Sequence, residues 1–280
     1  MSAKIHPTAI IDPKAEIADD VEIGPFCVIN GHVKIGGGTR LLNNVSLLNR
    51  TTIGKHNVIY PFAVIGGKPQ DLKYKGEETE LLIGDHNTLR EFVTINIGTI
   101  GGGGITKLGS ANLLMAGCHI AHDCDLGDHI IIANNVLLAG HVKVDDWVGM
   151  SAYVGLHHFL SVGRHAFIGG YTRANVDIPP YMIVNGIPMS VVAPNAVGLK
   201  RRGFSDDQLM ALKEAHRLIW RSGLPKSEAM TIVEQRYATQ PDVRILLDAL
   251  RATDRGRKGR ARELLRSGPL LEGEDDASDA

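Results

Sequence analysis

With 280 residues, 44% apolar and 22% charged, the chain has the composition of a folded globular protein and not of a disordered one. A formal net charge of −1 excludes strong overall attraction to nucleic acid. The three cysteines, Cys27, Cys118 and Cys124, are too few for a disulfide framework and show no CxxC spacing, so reduced thiols and a cytosolic location are expected.

In chain order, Met1 to His6 contains no apolar signal core, and no apolar run approaches the ~20 residues of a membrane span. From Ile5 an aliphatic residue then returns at every sixth position, through Ile11, Ile17, Ile23, Ile29, Ile35, Leu41, Leu47, Ile53 and Ile59 to Ile65. The phase survives an insertion at 66–82 and resumes at Ile83, Leu89 and Ile95. A second, glycine-rich insertion at 98–107 shifts it by one residue, after which it runs from Leu108 to Ala174. A 3.6-residue period would scatter these positions around every face of a helix, so they are not helical. A six-residue period means a short strand plus a tight turn, three of which close one triangular coil of a parallel β-helix. Stacked neighbours are then 18 residues apart in sequence and ~4.8 Å apart in space.

This prism is expected over 1–190, with both insertions as loops extruded from it, where binding often resides. A helical domain is expected over 191–253. Ser205 and Gln208 read as a capping box that opens a helix ending near Gly223 and Pro225, and two shorter helices follow at 227–239 and 241–253. Residues 196–267 hold 16 Lys and Arg against 9 Asp and Glu, a basic module. Residues 254–280 end in an acidic run and are expected to be a disordered tail.

Twelve histidines is a high count, and the 18-residue ruler sorts them. Gly140 falls directly over His122, His158 lies two coils above His122, and Asp123 lies under His141. An imidazole beside an approachable backbone N–H is the minimum for acyl transfer, one as base and the other as oxyanion donor. Asp123 adjoins His122 and could orient it, although adjacent residues on a strand point to opposite faces. Two other readings of the same residues are a metal site like that of the gamma-class carbonic anhydrases and a scaffold without chemistry. No metal is expected, because His119 and His122 would face opposite ways.

The segments QDLKY (70–74), NLLM through HIAHDC (112–124), LAGHV (138–142) and GLKRRGF (198–204) resemble the acyl-[acyl-carrier-protein]–UDP-N-acetylglucosamine O-acyltransferases of lipid A biosynthesis, over about residues 1–253. The resemblance implies a left-handed parallel β-helix with a helical cap, assembled as a homotrimer with sites between prisms. It implies transfer of a 3-hydroxyacyl group from acyl carrier protein to the 3-position of a UDP-sugar, with no cofactor, nucleic acid or membrane span. His122 would be the general base, Gly140 the oxyanion donor and Asp123 its companion. His119, His141 and His157 would surround sugar and acyl chain, and Gln70, Asp71 and Lys73 would hold sugar and phosphate. Asn195, Arg201 and Arg202 would meet the nucleotide, and Gly170 would leave room for a long acyl chain. The basic helical module would suit an acidic carrier protein. The chain departs from the family pattern at Asn96, where a His is usual, at Ile97 for a basic residue, at His158 for a Gln and at Val197 for an acidic residue. Such changes could instead favour a 3-amino sugar and an amide product. The related N-acyltransferase carries an extra N-terminal domain, for which a repeat starting at Ile5 leaves no room.

Overall fold

The hexads fold as strand and turn. In the computed structural model, which describes residues 3–255, nearly every periodic aliphatic residue ends a short strand, and the strands sort by hexad into three parallel sheets. Sheet A starts at Lys4–Ile5, sheet B at Ile10–Ile11 and sheet C at Glu16–Ile17, and each takes every third strand thereafter. Ile5 pairs with Ile23, Ile11 with Ile29 and Ile17 with Ile35, the register set by the 18-residue ruler. Across the insertions Ile53 pairs with Ile83 and Ile83 with Leu108, so each insertion lengthens one coil without breaking the ladder.

Two positions per hexad fill the prism. The periodic residues Leu41, Ile59, Leu89, Leu114 and Ile132 are buried, and so are Val21, Cys27, Val45, Ala63 and Val136, each four places after a periodic residue. Burying one such aliphatic side chain contributes roughly 1.5–3 kcal/mol. Asn57, Asn87 and Asn112 occupy the second position in three successive coils. Each carbonyl oxygen accepts the next coil's N–H at 2.6–2.9 Å, and each amide donates to a turn carbonyl, so these buried polar groups are satisfied.

The residue three places after the periodic one commonly has a positive φ, as at Phe62 (63°), Asp123 (60°), His141 (64°) and Trp147 (63°). Its side chain stacks on its counterpart one coil away, giving ring pairs Phe62 with Phe92, Tyr153 with Tyr171 and His129 with Trp147.

Strand structure continues past the expected limit at 190. Met182–Asn185 joins sheet A beside Phe167–Ile168, and Ser190–Pro194 pairs back on it as an antiparallel hairpin. Four helices follow: α1 (Ala196–Arg201), α2 (Asp206–Arg221), α3 (Lys226–Arg236) and α4 (Pro241–Asp254). The Ser205 and Gln208 capping box opens α2. The second expected helix ends at Arg236 and not at 239, and α1 is additional. The helices share a second core, including Leu212, Val233 and Leu246, that packs on Tyr181 and Met182 of the hairpin region. The insertions are also shorter than expected, because the four-residue ladder Arg50–Ile53, Glu80–Ile83, Ile105–Leu108 draws their ends into sheet C. The expected tail lies outside the described residues beyond Arg255. Among the described residues no helix is long and apolar enough to cross a membrane.

Candidate active site

Both insertions leave sheet B and return to sheet C, so both rise from the BC corner of the prism. His122 and Gly140 occupy equivalent places on that corner, two residues after the paired Ile120 and Leu138. A Cβ built on Gly140 would lie 2.6 Å from His122 Cε1, so a side chain there would push this imidazole aside. The Gly140 N–H makes no hydrogen bond to any described residue.

The left-handed turn at Asp123 swings its carboxylate back to the imidazole beside it, which strand alternation would not allow. Oδ2 lies 2.7 Å from His122 Nδ1. A carboxylate only accepts, so Nδ1 carries a proton, and in the neutral ring Nε2 is then the nitrogen with the lone pair. Asp123 also accepts from the Thr99 N–H at 2.7 Å and the Thr99 hydroxyl at 2.6 Å, and its own N–H donates to Thr106 Oγ1. Burial pushes the Asp123 carboxyl up, but the hydrogen bonds from His122 and Thr99, with the charge of His141, outweigh it and hold the group ionised. On the outer side of the ring, Asp71 Oδ2 from the first insertion lies 4.0 Å from His122 Nε2. His141 meets His122 edge-on, with centroids 5.1 Å apart, and stacks flat on Phe159 at 4.2 Å.

The same corner carries His157 and His158 one coil above Gly140, with ring centroids 3.9 Å apart. His119 projects from the adjacent strand of sheet B, bonded to Thr94 Oγ1 at 2.7 Å, and burial followed by the nearby His122 lowers its pKa. Asn96 is buried and fastens the first insertion through Lys68 O, and its Oδ1 makes no hydrogen bond among the described residues. Gln70 and Lys73 are exposed on that insertion.

Four expected residues lie elsewhere. Gly170 sits at the AB corner, with Ser151 and Ala152 at 3.4 Å from a built Cβ. Asn195 caps α1, its Oδ1 accepting from the Gly198 N–H and its Nδ2 donating to His165 O. Arg201 is exposed on α1, and Arg202 lies at the CA corner. Thr99, Thr106 and Phe159 are contacts that the sequence did not single out. Phe159 was one 18-residue step above His141, whereas Thr99 and Thr106 lie within the second insertion as read from the sequence, outside the ruler.

His122, Asp123 and His141 each offer a ligand atom within 4.8 Å of the others, a spacing that could hold a metal ion. The carboxylate, however, already accepts three hydrogen bonds, from His122 and twice from Thr99. That arrangement suits proton transfer.

Residues 177–257 match the family described as UDP N-acetylglucosamine O-acyltransferase, domain 2. The chain is 45% identical over 253 residues to an acyl-[acyl-carrier-protein]–UDP-N-acetylglucosamine O-acyltransferase of Thermodesulfovibrio yellowstonii, covering 90% of this chain and 98% of that protein. It is 47% identical over 258 residues to the protein of the same name from Paracidovorax citrulli, covering 91% and 98%. Among solved structures it resembles a UDP-N-acetylglucosamine acyltransferase from Bacteroides fragilis 9343, with TM-score 0.87, 42% identity and coverage of 91% and 98%.

Proposed function

Because the chain belongs to the acyl-[acyl-carrier-protein]–UDP-N-acetylglucosamine O-acyltransferase family, we propose that its BC corner transfers a 3-hydroxyacyl group from acyl carrier protein to the 3-hydroxyl of UDP-N-acetylglucosamine, in lipid A biosynthesis. The observation that carries this reading is the single-chain geometry of Gly140 over His122, with the ring held from behind by Asp123. His122 Nε2 takes the proton of the sugar hydroxyl as its oxygen attacks the thioester carbonyl. The new C–O bond leaves charge on the former carbonyl oxygen, which the Gly140 N–H receives. Collapse breaks the C–S bond, and the proton on Nε2 passes to the departing sulfur. Asp123 stays ionised throughout and keeps the proton on Nδ1. Asp71, facing Nε2, is placed to orient the sugar hydroxyl.

The left-handed winding, the homotrimer and the helical cap belong to the same reading, as does a cytosolic location, which the three buried free thiols fit. In a trimer, residues from separate corners of different chains can meet. Leu72, 97% exposed at the tip of the first insertion, and Ile100, 66% exposed on the second, give the BC corner an apolar rim suited to a neighbouring prism.

The test is mass-spectrometric detection of product from UDP-N-acetylglucosamine, its 3-amino analogue and a ladder of 3-hydroxyacyl carrier proteins. An O-acylated sugar is expected, with turnover falling about 10²–10⁴-fold in His122→Ala. Exclusive acylation of the amino sugar would replace the acceptor, and equal turnover in His122→Ala would remove the base.

A further inference from the structure

The glycine-rich insertion bends over the back of the candidate site and presents both polar groups of Thr99 to one carboxylate. The Thr99 N–H reaches Asp123 Oδ1 at 2.7 Å, and its hydroxyl reaches Oδ2 at 2.6 Å, the oxygen that also holds His122 Nδ1. One residue therefore brackets both oxygens and fixes the plane of the carboxylate. Thr99 is 7% exposed, and the Asp123 side chain is fully buried.

The donors are held in place by the loop. Gly98 donates its N–H to Glu80 O and accepts from the Thr79 hydroxyl at 2.6 Å, while the Thr99 carbonyl accepts from the Gly102 and Gly104 N–H groups. Gly102 also lies against the carboxylate, since any side chain there would overlap the Asp123 carboxyl group. Donors fixed before the reaction need no rearrangement during it.

We infer that Thr99 is a positioning residue for acyl transfer, acting through Asp123 to aim the His122 imidazole. The inference rests on His122 being the base. Loss of the hydroxyl frees the carboxylate to pivot about its remaining N–H contact, and the ring it directs loses alignment with the sugar hydroxyl.

The experiment compares wild type, Thr99→Val, Thr99→Ser, Asp123→Asn, Thr99→Val combined with Asp123→Asn, and His122→Ala, in the product assay with both substrates. Thr99→Val is expected to lower kcat about 10- to 100-fold, the worth of one hydrogen bond to a charged group, with KM nearly unchanged. Thr99→Ser should recover most of it. In the Asp123→Asn background Thr99→Val should have no further effect, and the downfield proton resonance of the His122 Nδ1–H should shift in Thr99→Val but not in Thr99→Ser. Wild-type kcat in Thr99→Val, or losses that multiply in the double variant, would overturn the inference. If Thr99→Val fails to fold, Thr99→Ala takes its place in the same cycle. Full activity in His122→Ala would instead bring down the parent reading, and this inference with it.

Discussion

Gly140 and His122 constrain each other. A side chain at Gly140 would collide with the imidazole, and the Gly140 N–H, proposed as the oxyanion donor, has no hydrogen-bond acceptor among the described residues. Gly140→Ala is expected to displace the ring and cost about 10²–10³-fold in kcat, comparable to losing an oxyanion donor, with the fold intact by circular dichroism; undiminished turnover would exclude Gly140 from the site. This pair was legible in the sequence because both residues lie on the ruler. The link from His122 to Asp123 was legible only as adjacency, since strand alternation places neighbours on opposite faces. A positive φ at Asp123 reverses that expectation, and period counting carries no information about φ. Thr99 was hidden for a different reason, because residues inside an insertion have no periodic neighbour to be measured against.

Among the helices, α1 is the one the sequence did not announce. Six residues are too few for a visible apolar stripe, and its anchor is a stack of rings at the CA corner. Trp147, His165 and Tyr181 lie nearly parallel, with Arg202 from the end of α1 set 5.2 Å over the Trp147 ring. Arg202 donates to His165 Nδ1 at 3.2 Å, which requires a neutral imidazole. Burial, then the charges of Arg202 and Arg164, push His165 down to about 4, while Asp242 and Asp146 pull weakly the other way. The unfolded chain, with a histidine pKa of ~6.5, takes up this proton first. The stability His165 contributes is therefore full above pH ~6.5 and drains away as the pH falls toward 4. The melting temperature should drop between pH 7 and pH 5, and His165→Phe should make that drop shallower; an identical slope would show that α1 docking does not depend on the neutral ring.

On the scale of the whole molecule, the three corners carry different sets of residues. The BC corner gathers His122, Asp123, Gly140 and the insertions, the AB corner carries Gly170 beside the stacked Tyr153 and Tyr171, and the CA corner holds Arg202. If the trimer unites them, light scattering should return three chains of 30.2 kDa, and Leu72→Asp should lower both the mass and the turnover. A fully active monomer would show that one prism suffices. The architecture was legible at this scale because all coils obey one rule. How chains meet was not, because a periodic pattern describes the inside of the prism and leaves its outside free.

The ladder has one more consequence. Each prism strand bonds only to the coils directly before and after it, so cooperativity passes along the axis like a signal along a row of dominoes. Among the described residues the first coil has a neighbour on one side only, and there the periodic Ile5 is 46% exposed, against 2% for Ile23 one coil on. Thermal opening should therefore begin at that end and advance coil by coil, while the coils bearing His122 and Gly140, far along the row, stay closed. The proposed catalytic pair is thereby placed where fraying arrives late.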